Sequence, residues 1–137
     1  MIVFNQLPNI GLEFMNIEHQ QAADLFNKIE TDFKRHDVDA VIAGILEIQQ
    51  HCIEHFAHEE REMKTYEYPP YNVHKQAHDR VLMEIDMVVK QLQSHRTLSK
   101  ISSYIEHGFP SWFSHHLATM DKVTAEFILS QQAVKSA

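Results

Sequence analysis

Apolar residues recur at three- and four-residue spacing in four separate stretches, the signature of helices with one buried face. The first covers residues 16–35, where Leu12, Met15, His19, Ala22, Ala23, Phe26, Ile29 and Phe33 form one stripe. The second, 38–66, follows Asp37, a side chain suited to capping a helix N-terminus, and aligns Val41, Ile45, Ile48, Cys52, His55, Phe56, Glu59 and Met63. Tyr68-Pro69-Pro70 ends it, because proline lacks the N–H donor and restricts the residue before it. The third, 71–94, turns His74, His78, Val81, Leu82, Ile85, Val88, Val89 and Leu92 inward. The fourth, 98–131, does the same with Ile101, Ile105, Phe109, Trp112, His116, Val123 and Phe127, and Gly108 and Pro110 within it predict a kink or break. Short turns between four such helices predict an all-α, antiparallel up-down-up-down four-helix bundle. Its length suits a single domain over residues 1–137.

The polar residues on these stripes are the informative ones. His19, His55, Glu59, His74, His78, His116 and Asp121 all fall on core-facing positions. Five imidazoles and two carboxylates directed into one bundle make the ligand set of a di-metal site, since buried carboxylates without cations are costly. His55 and Glu59 are four apart, as are His74 and His78, so each pair projects from one face. His116 and Asp121 are five apart, about 140° around an ideal helix, which suits one ligand pointing straight in and one reaching from the flank. Both carboxylates are suited to bridging, because each has two oxygens. Glu59 and His74 are 15 residues apart, whereas His19 to His55 spans 36 and His78 to His116 spans 38. A common site then lies roughly 11 Å from the end of the bundle that holds the second turn, at ~1.5 Å per residue.

Eleven histidines occur, so the other six must be set aside on a physical ground. A rival register on the second helix pairs His51 with His55 and His58 with Glu62. His51 and His58, however, share their face with Glu47, Glu54, Arg61 and Glu62, which reads as solvent. The same test prefers His116, beside Trp112, to His115, whose neighbours are Ser111, Thr119 and Lys122. His36, His95 and His107 are read as surface residues, Cys52 as a small core residue and the methionines as core filler.

Composition narrows the function classes. The net charge of −7, with no cluster of Lys or Arg, disfavours nucleic acid and anionic membranes as partners. No apolar run reaches the ~18 residues of a membrane span, and the first residues lack the pattern of a signal peptide. A single cysteine excludes an internal disulfide and suits a reducing compartment, so a cytoplasmic location is expected. Imidazole and carboxylate accept iron, manganese and zinc alike, so the donor types leave the metal open.

Taken together, the motifs resemble those of the bacterial hemerythrins, the non-haem di-iron oxygen-binding bundles, over nearly the whole chain. The resemblance rests on the isolated His19, on His55-Phe56-Ala57-His58-Glu59-Glu60, on His74 and His78, and on Trp112 followed by His116-Leu117 and Asp121. Gly11, eight residues before the first ligand, and Asn27, eight after it, fit as well. It implies two iron ions, with His74, His78 and His116 on one and His19 and His55 on the other. Glu59, Asp121 and a solvent-derived oxo or hydroxo group would bridge them, leaving one coordination position open on the iron of His19 and His55. The implied function is reversible dioxygen binding for transport, storage or delivery, without catalytic residues. Alternatives in the same family are an oxygen- or redox-sensing input domain, with residues 130–137 leading to a signalling or electron-transfer partner, and an enzyme acting on peroxide or nitric oxide. The chain has no Glu-x-x-His motif of the kind that marks four-glutamate di-iron oxidases, which favours binding. It also departs from the family pattern, carrying Asn16 in place of an aspartate and the pair Ala22-Ala23 in place of bulky apolar residues. That pair is expected to leave a cavity or tunnel beside the metal, with Phe56, Trp112 and Phe113 around it.

Overall fold

Three long helices and a segmented fourth arm build the molecule in a computed structural model that describes residues 1–3 and 6–136. Helix α1 is Glu13–Lys34, α2 is Val38–Thr65 and α3 is Tyr71–His95. The fourth arm begins as a 3-10 turn at Leu98–Ile101 and continues through a π turn at Tyr104–Gly108 into α4, Phe109–His116. A second π turn, Leu117–Asp121, leads into α5, Lys122–Ser136. The arrangement is an antiparallel four-helix bundle, with no strand among the described residues. Of the C-terminal stretch 130–137, Ala137 lies outside them. None of the described helices is long and apolar enough to cross a membrane.

Local chemistry explains the boundaries. Asp37 caps α2 as expected, its carboxylate accepting from the Ala40 N–H at 3.1 Å. The chain leaves α1, α2 and α3 through single residues in the left-handed region, His36, Glu67 and Arg96. At the first two ends a bond five residues back closes the turn, Asp37 N–H to Asp32 O and Tyr68 N–H to Met63 O. The N-terminal arm lies on α1, where the Asn27 amide accepts from the Ile2 N–H and donates to the Ile2 carbonyl at 2.8 and 2.7 Å.

The kink or break expected at Gly108 and Pro110 is a π turn that ends at Gly108, and the helix is not broken there. In the first π turn the Phe109 N–H bonds to Tyr104 O, and Pro110 sits at the start of α4. A proline there forfeits no needed donor, so the arm passes through it. The second π turn changes the register of everything after it. It takes up one residue more than an α turn, so the buried positions of α5 become Thr124, Ala125 and Ile128, while Val123 is 53% exposed and Phe127 is half-buried. The expected stripe through Val123 and Phe127 assumed uninterrupted α geometry.

Two apolar clusters result. The larger contains Phe26, Ile45, Cys52, Phe56, Val81, Ile85, Phe113 and Leu117; the smaller contains Ile10, Leu12, Met15, Ala125 and Ile128. Polar core residues lie between them on the two helices that feed both clusters, His19 between Met15 and Ala22 on α1 and Asp121 between Leu117 and Ala125 on the fourth arm.

Candidate metal centre

Each helix contributes to one buried polar layer. α1 supplies His19, α2 His55 and Glu59, α3 His74 and His78, and the fourth arm His116 and Asp121, all at most 6% exposed. Their donor atoms form two groups, each within 4.8 Å: Glu59, His74, His78, His116 and Asp121 in one, and His19, His55, Glu59 and Asp121 in the other. The two carboxylates belong to both.

Oxygen by oxygen, the division is sharper. Glu59 Oε2 lies 2.8 Å from His55 Nε2 and 3.7 Å from His19 Nε2, while Oε1 lies 3.1 and 3.5 Å from His78 and His74 Nε2. Asp121 Oδ2 lies 3.0 Å from His19 Nε2, and Oδ1 lies 3.0 Å from both His74 and His116 Nε2. Each carboxylate thus gives one oxygen to each histidine group.

The second π turn makes the Asp121 position possible. Its i to i+5 hydrogen bond, Lys122 N–H to Leu117 O, widens the helix where His116 and Asp121 flank it. On a regular helix the two would diverge by about 140°; here Asp121 Oδ1 lies 3.0 Å from His116 Nε2.

Imidazole orientation is set from outside the layer by residues that spacing alone did not single out. His55 Nδ1 donates to Glu18 Oε1 at 2.7 Å and His78 Nδ1 donates to Glu60 Oε2 at 2.9 Å. A carboxylate only accepts, so the proton on these rings is held at Nδ1 and the Nε2 lone pair of the neutral ring faces inward. His74 Nδ1 is 2.8 Å from Thr124 Oγ1. Glu60 was visible as the second glutamate of the His55 motif, but Glu18 and Thr124 carry no sequence signal, since their partners lie 37 and 50 residues away. The half-buried His51 and His58 are also held here, correcting their reading as solvent residues. His51 Nε2 donates to the Glu18 carbonyl at 2.9 Å and His58 Nδ1 to Glu18 Oε2 at 2.9 Å. His36, His95, His107 and His115 are exposed.

The layer has the chemistry of a metal site. Although the contacts are short, the Nε2 atoms of His19, His78 and His116 and both oxygens of Glu59 make no directional hydrogen bond. Buried polar atoms are rarely left so, and neutral imidazoles converging with carboxylates are the donors that first-row divalent cations accept. In the metal-free chain the carboxylates draw protons onto these imidazoles instead. Burial pulls His55 down, but the nearby Glu59 charge and the bond to Glu18 outweigh it and raise the imidazole to about 10. His74 rises to about 9 against its burial through Asp121 and Glu59, and His19 rises likewise. Burial pushes Glu59 and Asp121 up, and their imidazole neighbours still hold both below the ordinary carboxylate range.

A pH prediction follows for the metal-free chain. Histidines raised in the folded state contribute stability that is complete below their unfolded value of ~6.5 and disappears as pH rises through the folded values. The depressed carboxylates contribute stability that is lost as pH falls through the acid range. Thermal melts of metal-free protein are therefore expected to peak near ~pH 5–6 and to decline toward pH 10. Added metal should move the peak upward, because it needs deprotonated imidazoles. A metal-free melt still rising between pH 7 and 10 would contradict the electrostatic balance.

Beside the layer is a small cavity of about 10 Å³, bordered by His19, Ala22, Cys52, His55, Phe56, Trp112 and Phe113. About one water or diatomic molecule fits such a space. Ala22 borders it as expected. Ala23, 1% exposed, packs in the larger apolar cluster instead. Aromatic rings brace the histidines, with Phe56 stacked on His78 at 4.0 Å and Trp112 on His116 at 4.7 Å.

No family model matches the chain. It is 24% identical over 122 residues to a bacteriohemerythrin of Aquifex aeolicus (strain VF5), an alignment covering 89% of this chain and 93% of that protein. The likeness is distant and extends over most of the chain.

Proposed function

We propose that the chain is a single hemerythrin-like domain that binds dioxygen reversibly at a pair of iron ions, for storage or delivery in the cytoplasm. The observation that carries this reading is the division of Glu59 and Asp121, each offering one oxygen to each histidine group. Held there, a pair of ferrous ions would supply the two electrons that reversible dioxygen binding needs.

The residues of this chain do the rest. His74, His78 and His116 would hold one ion and His19 and His55 the other, with both carboxylates shared. One ion thus has one protein ligand fewer, and the two histidines that hold it border the small cavity beside Ala22. Glu18 and Glu60 keep Nδ1 of His55 and His78 protonated, so each Nε2 is presented to metal. Phe56, Trp112 and Phe113 close the cavity with apolar surface, which limits the entry of water and protons. Asp121 is the one carboxylate among the described residues that borders it, which suits retention of the ligand over proton-driven turnover.

The test is an optical one. Anaerobic loading with ferrous iron should give about two iron ions per chain. Admission of air should produce a visible charge-transfer band that vanishes when oxygen is withdrawn. A band that never reverses, or a chain that takes up one ion or none, would refute the proposal.

A further inference from the structure

Of the side chains that line the small cavity all are buried except His51 and Trp112, which are half-buried, so whatever enters passes beside one of these two. Two surface clefts approach it. One, about 500 Å³, lies against α3 between Val73, Ala77, Arg80 and Glu84, with Trp112 at its floor. The other, about 300 Å³, is polar and reaches the cavity at His51 and His55.

The two walls differ in how firmly they are held. His51 is fixed by its hydrogen bond to the Glu18 carbonyl and His55 by its bond to the Glu18 carboxylate, at 2.9 and 2.7 Å. Trp112 borders both the cavity and the larger cleft. Among the described residues no protein group hydrogen-bonds to its indole; it is kept in place by stacking on His116 and by edge contact with Phe56 at 6.4 Å. The cleft outside offers ample room for an indole to swing into. Side-chain gating of this kind needs neither backbone motion nor a broken hydrogen bond.

We propose that Trp112 is the gate through which small uncharged molecules pass between the cleft on α3 and the cavity beside His19 and His55. That the molecule passing is dioxygen rests on the function proposed above. The route itself does not.

Cys52 provides a reporter, because it is the sole cysteine of the chain, is buried, and borders the same cavity. Its labelling by methyl methanethiosulfonate, followed by mass spectrometry on the full chain as purified, reads access without reference to oxygen binding. Trp112→Ala should accelerate labelling about tenfold or more and His51→Ala by no more than about twofold, equivalent to lowering the barrier by ~1.4 kcal/mol or more in the first case. Ala77→Phe, which fills the outer cleft and leaves Trp112 intact, should slow it. Ile128→Ala weakens the remote smaller cluster and controls for simple loss of stability. Labelling that is unchanged in Trp112→Ala, faster in His51→Ala, or raised equally by Ile128→Ala would overturn the gate. Loss of the reversible optical band with these rates as expected would overturn only the dioxygen reading.

Discussion

Glu59→Ala and Asp121→Ala are each expected to reduce metal content from about two ions per chain to one or fewer, whereas His115→Ala leaves it near two. The asymmetry comes from sharing. Each carboxylate belongs to both donor groups, so its removal takes an oxygen from both ions and leaves five buried imidazoles with half their compensating charge. His115 is exposed and adjacent to His116 in sequence, so it controls for the mere loss of a histidine. His58→Ala is a stricter control. It removes one bond to Glu18 and leaves the 2.7 Å bond from Glu18 to His55 in place, so metal content should again stay near two. Metal analysis after anaerobic loading and desalting decides the matter, and equal losses in all four variants would refute the assignment. Glu59→Gln and Asp121→Asn retain size but not charge, and should also bind poorly if charge is the cause.

The second large effect concerns the π turn between His116 and Asp121. Insertion of one alanine between Ala118 and Thr119 should abolish paired metal binding and destabilise the fold. Every residue from Asp121 onward would turn by about 100° relative to His116, carrying the carboxylate off the layer and burying different residues of α5. Deletion of Thr119, which is exposed, should be far milder. It would leave the histidine and aspartate four apart, the spacing by which His55 and Glu59 already meet on a regular helix. Iron content and circular dichroism melts of both variants test this. If the deletion loses metal as completely as the insertion, the wide turn is required for more than register.

These effects mark where the sequence was sufficient and where it was not. Periodicity located all four helical arms because apolar burial repeats with the helix itself, and it selected His55 over His51 because one face of α2 is apolar and the other charged. The same reasoning placed His51 and His58 in solvent, and there it failed. Their partner is Glu18, on another helix, and a single chain direction carries no information about which polar flanks of α1 and α2 come into contact. Thr124 was invisible for the same reason.

The fourth arm shows the limit most clearly. A period of 3.6 residues assigns Val123 to the core, and the residues 117–121 contain nothing that announces a wider turn. The π turn forms where the tertiary structure satisfies two demands at once, the approach of Asp121 to His19, His74 and His116 and the packing of Ala125 and Ile128. Spacing and residue type therefore determined which seven side chains share a core layer, because amphipathic periodicity and donor chemistry are local. Only the folded bundle decided which carboxylate oxygen faces which imidazole, which outer partner orients each ring, and which side chain closes the cavity, because those depend on contacts between helices distant in sequence.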